Sequence, residues 1–287
     1  MKYDNKKFNI IVIIAKIRIF TKMDHKKPIR EAVGGGEGES EAWWGSGLGL
    51  KGFVFGGRWV GMECEGYPMM FFPALSELGG WLRHGLTLRV PGVDVAVDRD
   101  EAVSRLRGGH VAAAGGLGFS SDQLMWAEQV HGVEVAWVDG VDGVGALMGG
   151  VDGLVSARVG CGLGIYVADC CAVYVVDPRC RAVALLHSGR RGSDGGIVRR
   201  GIDELVRRCG SRPADLVVQL SPCIRPPWYE VDFATMIRRD ARDCGVPAGQ
   251  IHDDGTCTAS DLGRFYSYRA ERGRTGRMCA VLGMVAE

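Results

Sequence analysis

The run GLGIYVADCCAVYVVDPRCRAVALLHSGRRGSDGGIVRRGIDELVRRC, residues 162–209, holds three apolar, β-branched segments in quick succession: Gly162–Val167, Ala172–Val176 and Ala182–Leu186. Each is short and bounded by turn residues, the pattern of a strand buried on both faces. The period then changes. Val198, Ile202, Leu205 and Cys209 recur at the spacing of one helix face, predicting a helix over about 195–208 with Asp194 as its cap. The breaks between these elements carry reactive side chains, in Ala168-Asp169-Cys170-Cys171 and in His187-Ser188-Gly189.

Outward from this run the chain keeps alternating between strand groups and helices. Val133–Val138 alternates as a half-buried strand, and Leu216–Leu220 reads as another buried one. A second helix is expected over Asp232–Cys244, with Phe233, Ile237, Ala241 and Cys244 on one face and Gly245 ending it. On the N-terminal side a strand meander is expected from Gly52 to Phe72, and strands over Leu82–Val97 around the Pro91-Gly92 turn. A short helix is expected over Asp100–Arg107, while Ala112–Phe119 fits no single period. Phe265–Arg269 and Met278–Val285 read as closing strands. With no internal repeat, the fold class is α+β, a layered single domain over residues 51–287.

Residues 1–50 read as a flexible leader. Lysine occurs eight times up to Lys51 and never afterwards, where arginine carries every permanent positive charge. The Lys-, Asn- and Ile-rich stretch 1–22 differs enough from the remainder that Met23 stands as an alternative start, against a genuine tail. Its apolar stretch Ile10–Ala15 runs straight into Lys16 and Arg18, which is too short for a signal-peptide core or a membrane span. A cytoplasmic protein is expected.

Composition removes several function classes. A net charge of +1 gives no bulk attraction to nucleic acid or an anionic membrane. The ten cysteines include no CxxC pair, so most read as small buried hydrophobes. Without lysine after position 51, the body of the chain has no phosphate-loop lysine, Schiff-base lysine or kinase strand lysine.

Three residues at strand edges, His131, Cys170 and His187, are of the types that zinc prefers. Three protein ligands with a fourth position open is the arrangement of a catalytic zinc. Read by spacing alone, the same residues equally fit two satisfied histidines and a core cysteine. Gly189-Arg190-Arg191-Gly192 leads into the expected helix, so free backbone N–H groups and two guanidinium forks would suit phosphate. A solvated basic turn fits that stretch as well.

Eight segments occur in the order found in one family: QVHGVEV (129–135), VDGLV (151–155), VADC (167–170), HSGRRG (187–192), SPCIRPPWYEV (221–231), CT (257–258), FYSYR (265–269) and TGRM (275–278). From about His84 to Val285 the chain resembles the laccase-domain, multicopper polyphenol oxidase-like proteins, also called peptidoglycan editing factors. Members are described as zinc-dependent purine nucleoside phosphorylases that also deaminate adenosine and split methylthioadenosine. The resemblance implies an α/β/β/α sandwich with His131, Cys170 and His187 as metal ligands. Ser188 and Arg190 depart from the Ala and Trp usual in the family's HAGWRG turn, while Arg191 keeps its arginine. Trp228 stands where Cys or His is usual.

Several functional readings follow. In the first, purine nucleosides and phosphate are the substrates. Arg191 and Arg190 orient the phosphate, and Asp169 moves the proton when metal-activated water deaminates adenine at C6. In the second, Cys170 and His187 form a nucleophile–base pair, assisted by His131, for amide cleavage in peptidoglycan precursors. Copper remains possible as the metal, but six histidines with no HxH pair are too few for a four-copper centre. A non-enzymatic metal or nucleotide binder is the remaining class. Tyr229 and Glu230 are candidates for the acid that protonates the leaving purine.

Overall fold

Alternation along single strands sets the layers. The computed structural model describes residues 40–43, 50–55 and 58–64 as backbone, and residues 67–287 with side chains. The chain runs through β1 (Ser40–Trp43), β2 (Leu50–Phe55), β3 (Arg58–Cys64), β4 (Tyr67–Met70), α1 (Pro73–Ser76), β5 (Leu82–Thr87) and α2 (Arg99–Gly116). It continues through β6 (Leu124–Ala127), β7 (Val135–Trp137), β8 (Ala146–Met148), β9 (Gly153–Ser156), β10 (Gly162–Val167), β11 (Cys171–Asp177) and β12 (Ala182–Ser188). After α3 (Arg190–Asp194) and α4 (Ile197–Cys209) come β13 (Val217–Leu220), α5 (Phe233–Asp243), β14 (Ile251–His252) and β15 (Met278–Met284).

Among the described residues these strands form two mixed sheets, ordered β1-β2-β3-β4-β5-β15-β10-β6-β8 and β14-β13-β11-β12-β9-β7. Val183 and Leu185 of β12 join Tyr174 and Val176 of β11 in a core shared with Leu163 and Ile165 of β10 and Ala280 and Leu282 of β15. That core lies between the sheets. The alternate residues Ala184, Leu186, Val173 and Val175 pack with Val198, Ile202 and Leu205 of α4 and Phe233 and Ile237 of α5. On the other side, Cys279 and Val281 of β15 pack with Leu124 of β6 and Ala113 of α2. Both faces of each central strand are therefore buried, which is why those runs are continuously apolar. The order of layers is α/β/β/α.

Tyr174 ties the two sheets together. Fully buried, it donates its hydroxyl to the Gly85 carbonyl of β5 at 2.9 Å. Tyr174→Phe removes that bond while keeping the ring, and should cost about 1 kcal/mol in a denaturant melt. No change at all would show that the carbonyl finds another partner.

Four sequence expectations are corrected. The helix expected over Asp100–Arg107 runs from Arg99 to Gly116. Gly109, inside this longer helix, is where α2 lies against Tyr67: a Cβ there would sit 2.1 Å from the ring. Phe265–Arg269 is no strand; its backbone bonds to loops and side chains instead, Phe265 accepting from Arg89 and Arg269 donating to Asp169. Leu82–Val97 holds one strand, β5, before the Gly92 turn. Finally, Asp194 caps nothing: it ends the five-residue α3, and α4 starts after Gly196, whose φ is +76°.

Ser40–Trp43 and Leu50, within the stretch read as a leader, are strand residues. The rest of that stretch, Met23 included, lies outside the described residues. Among the described residues no helix is long and apolar enough to cross a membrane.

Candidate metal centre

The chain passes from the first sheet to the second three times, and two of those passages carry a candidate ligand. Between β6 and β7 lies His131; between β10 and β11 lies Cys170. His187 is the penultimate residue of β12, and in the β11–β12 register Cys171 faces Ser188. One atom from each of the three side chains lies within 4.8 Å of the others. The two imidazole rings stand edge to face with centroids 4.9 Å apart.

Both crossovers need backbone conformations that most residues avoid. Gln129, His131 and Asp169 have φ of 63°, 59° and 85°. Such left-handed residues cost of order 1 kcal/mol each and persist only where the surroundings hold them. Asp152, completely buried at the head of β9, holds the first crossover. One oxygen accepts the His131 amide at 3.0 Å, and the other accepts the amides of Val130 and Gly132 at 3.1 and 2.7 Å. The first oxygen also takes His187 Nδ1 at 2.7 Å. One carboxylate thus positions two of the three candidate ligands, and it leaves His187 Nε2 as the ring nitrogen free to face the sulfur. The Gln129 side chain adds a pair of bonds to the Tyr166 backbone, at 2.6 and 2.8 Å, as a neighbouring strand would.

Asp169 holds the second crossover. Its two oxygens accept from the Thr258 hydroxyl at 2.6 Å and the Arg269 amide at 2.7 Å. Its carbonyl accepts the Ile224 amide at 2.9 Å. Gly189 is required on the other side of the sulfur: a Cβ there would stand 2.6 Å from Cys170 Sγ.

Electrostatics make the three residues a charged set. Burial pushes the Cys170 thiol up, but the charge of His187 and hydrogen bonds from both imidazoles outweigh it and bring the pKa down to about 6. Burial lowers His187, while the Cys170 charge and the Asp152 hydrogen bond together raise it to about 9. A thiolate beside an imidazolium is the resulting state, and a divalent cation would take the proton's place. Two nitrogens and one sulfur from three protein side chains suit zinc with a position left open.

A cavity of about 540 Å³ opens on this set. Ile224, Tyr229, Phe233 and Tyr268 give it an apolar, aromatic wall, and Arg99, Arg190, Arg269 and Arg277 give it a cationic one. Asp169 also lines it. Arg191 does not: it is exposed and outside the lining. The turn that the anion reading rested on is itself the five-residue α3, with Gly189 as its N-cap. Glu230 stands at the rim, 3.5 Å from both Arg190 and Arg269. Ser188, where the family usually has Ala, bonds to the Ser193 hydroxyl at 2.9 Å, and Trp228 is half exposed outside the cavity lining.

The model of the family described as multi-copper polyphenol oxidoreductase laccase matches residues 92–235 and 229–285. The chain belongs to this family. Among its laccase-family relatives, a "purine nucleoside phosphorylase" of Deinococcus radiodurans is 30% identical over 255 residues, covering 78% of this chain and 95% of that protein. "Purine nucleoside phosphorylase YlmD" of Geobacillus stearothermophilus is 29% identical over 228 residues, 67% of this chain and 82% of that protein. The crystal structure of YlmD from that organism superposes with a TM-score of 0.64 at 27% identity, over 77% of this chain and 96% of that one. The Bacillus licheniformis hypothetical protein YfiH shares the fold, with a TM-score of 0.63 at 24% identity over 70% of this chain and 92% of that one.

The family's description names several coppers, and ligand supply bears on that. Of the laccase-family chain's six histidines, two stand in the cluster. His84 accepts the Phe72 amide at 2.9 Å, and His110 is buried on α2. Among the described residues His131, Cys170 and His187 are the one group that could share an ion.

Two features were missed in the sequence. Asp152 sits in VDGLV, where an aspartate before glycine reads as a turn; its signal was a lone carboxylate at the head of an apolar strand. Arg277 sits in TGRM, and nothing in that motif marked it as facing the same cavity.

Proposed function

We propose that this chain is a zinc-dependent purine nucleoside phosphorylase that also deaminates adenosine and cleaves methylthioadenosine. What carries the reading is one cavity joining the His131–Cys170–His187 set, an aromatic wall and a cationic wall. Its volume lies in the range of small-molecule sites, and its chemistry matches a purine nucleoside with an oxyanion beside it. The relatives that carry the phosphorylase name support the same assignment.

In phosphorolysis a phosphate oxygen bonds to the anomeric carbon as the bond from that carbon to the purine nitrogen breaks. The electron pair leaves with the purine, which takes up a proton. Tyr229, Phe233 and Tyr268 hold the purine's π-face, and the arginines orient the oxyanion and offset its charge. His131, Cys170 and His187 would hold the zinc, which would supply Lewis acidity and bring the pKa of water toward about 7. Asp169 already accepts two bonds at its oxygens. We therefore give it the role of fixing the crossover that presents Cys170, rather than of moving the proton. Arg190 stays in the site as a rim cation held by Glu230, and Arg191 is left without a substrate contact.

Incubation with adenosine, with and without phosphate, tests the reading. Adenine formed only when phosphate is present, with inosine formed in either case, is the expected result. Neither product from zinc-loaded protein overturns it.

A second reading rests on a specific observation. Cys170, His187 and Asp152 stand as nucleophile, base and orienting carboxylate, the arrangement of a Cys–His hydrolase acting on amides such as peptidoglycan precursors. One tightly bound zinc per chain leaves no free thiolate and excludes it. Metal-free protein that cleaves the amide, and loses activity when Cys170 is alkylated, would establish it.

A further inference from the structure

Four guanidinium groups face the cavity, but they are not equally satisfied. Arg190 and Arg269 share the Glu230 carboxylate at the rim. Among the described residues Arg99 and Arg277 have no carboxylate in ion-pair range. Arg99 reaches a backbone carbonyl, that of Glu128, at 3.4 Å. Arg277 is only 8% exposed, and its Nη1 donates to the carbonyls of Thr275 and Gly276, each at 2.9 Å. Among the described residues its Nε and Nη2 have no hydrogen-bond partner. Arg277 lines the cavity, so these donors are available to a ligand there.

A buried cation without a counter-ion is a costly arrangement. Burial, and then the like charge of Arg99, push Arg277 below the usual guanidinium range, while Cys170 and Asp169 across the cavity pull the other way. The Tyr268 ring, 5.7 Å from the guanidinium carbon, covers one face and leaves the planar edge for a ligand. A guanidinium edge with two free donors matches an oxyanion held by paired bonds. Two neighbouring cations favour a dianion over a carboxylate.

We propose that Arg277, with Arg99 beside it, is the seat of a phosphate group in this cavity, in place of the Arg190-Arg191 turn. This rests on the phosphorylase reading for its source, inorganic phosphate; a nucleoside 5′-phosphate would offer the same chemistry. The seat explains why the cationic wall carries two guanidiniums that the protein itself leaves unanswered.

The test is calorimetric titration of the zinc-loaded full chain with orthophosphate and, separately, with AMP, alongside phosphate KM in nucleoside cleavage. Arg277→Lys keeps the charge and loses the fork, and should weaken orthophosphate Kd and phosphate KM by about ten-fold or more. Arg99→Gln alters an exposed side chain, so folding is not at stake, and should weaken both several-fold. Unchanged phosphate affinity in both variants overturns the seat, and does so even if adenosine is still phosphorolysed, in which case the functional reading survives. Arg277-dependent orthophosphate binding without nucleoside cleavage upholds the seat and removes the phosphorylase reading. Arg277-dependent binding of AMP but not of orthophosphate also upholds it, with a nucleotide as the source.

Discussion

Cys170→Ala should release the metal and bring turnover to background while the fold survives. The sulfur is the only anionic donor of the three, and its charge is the largest effect raising His187. Without it two neutral imidazoles remain, one of them on an exposed residue, and three-coordinate binding is lost. The loss in affinity should exceed the about 10–100-fold that removal of an outer hydrogen bond costs a metal site. Stability should change little, because Asp152 still binds His187 and the amides of Val130, His131 and Gly132. Zinc content after dialysis, measured beside a thermal melt, separates these effects. Full zinc occupancy in the alanine variant would remove Cys170 from the site.

That residue was legible because of its position. Continuous apolar runs mark strands buried on both faces, and the polar break at Ala168–Cys171 falls where the chain changes sheets. β10 matches its expected bounds, and β11 and β12 extend theirs by one or two residues. His131 and His187 were legible for the same reason, each at the edge of an apolar run. What hid was whatever depends on partners distant in sequence. Asp152 acts on residues some twenty to thirty-five positions away, and nothing local distinguishes it from a turn aspartate. Arg277 and Arg99 meet at the cavity from distant parts of the sequence. Gly109 in α2 is of the same kind: its meaning lies in Tyr67, which packs against it. Helix periodicity located α4 and α5, yet the GRRG turn forms α3, so the expected single helix is two and its start moves back to Gly189.

Asp152→Asn should damage both fold and metal affinity, although it changes a single atom. The carboxylate oxygens face donors only: His131 N and His187 Nδ1 on one side, Val130 N and Gly132 N on the other. An amide has one acceptor oxygen and one NH₂ group. With the NH₂ toward Val130 and Gly132, two backbone amides lose their acceptor beside a left-handed His131. With the NH₂ toward His187, Nδ1 becomes an acceptor, the ring proton moves to Nε2, and the nitrogen meant for the ion carries a hydrogen instead of a lone pair. The first orientation costs roughly 2–5 kcal/mol for two unpaired buried donors, and the second removes a ligand. Either way zinc affinity should fall by at least about 10–100-fold, and a denaturant melt of the metal-free variant distinguishes which orientation the amide takes. Unaltered stability together with unaltered zinc affinity would mean that the His131 crossover is held by something other than Asp152.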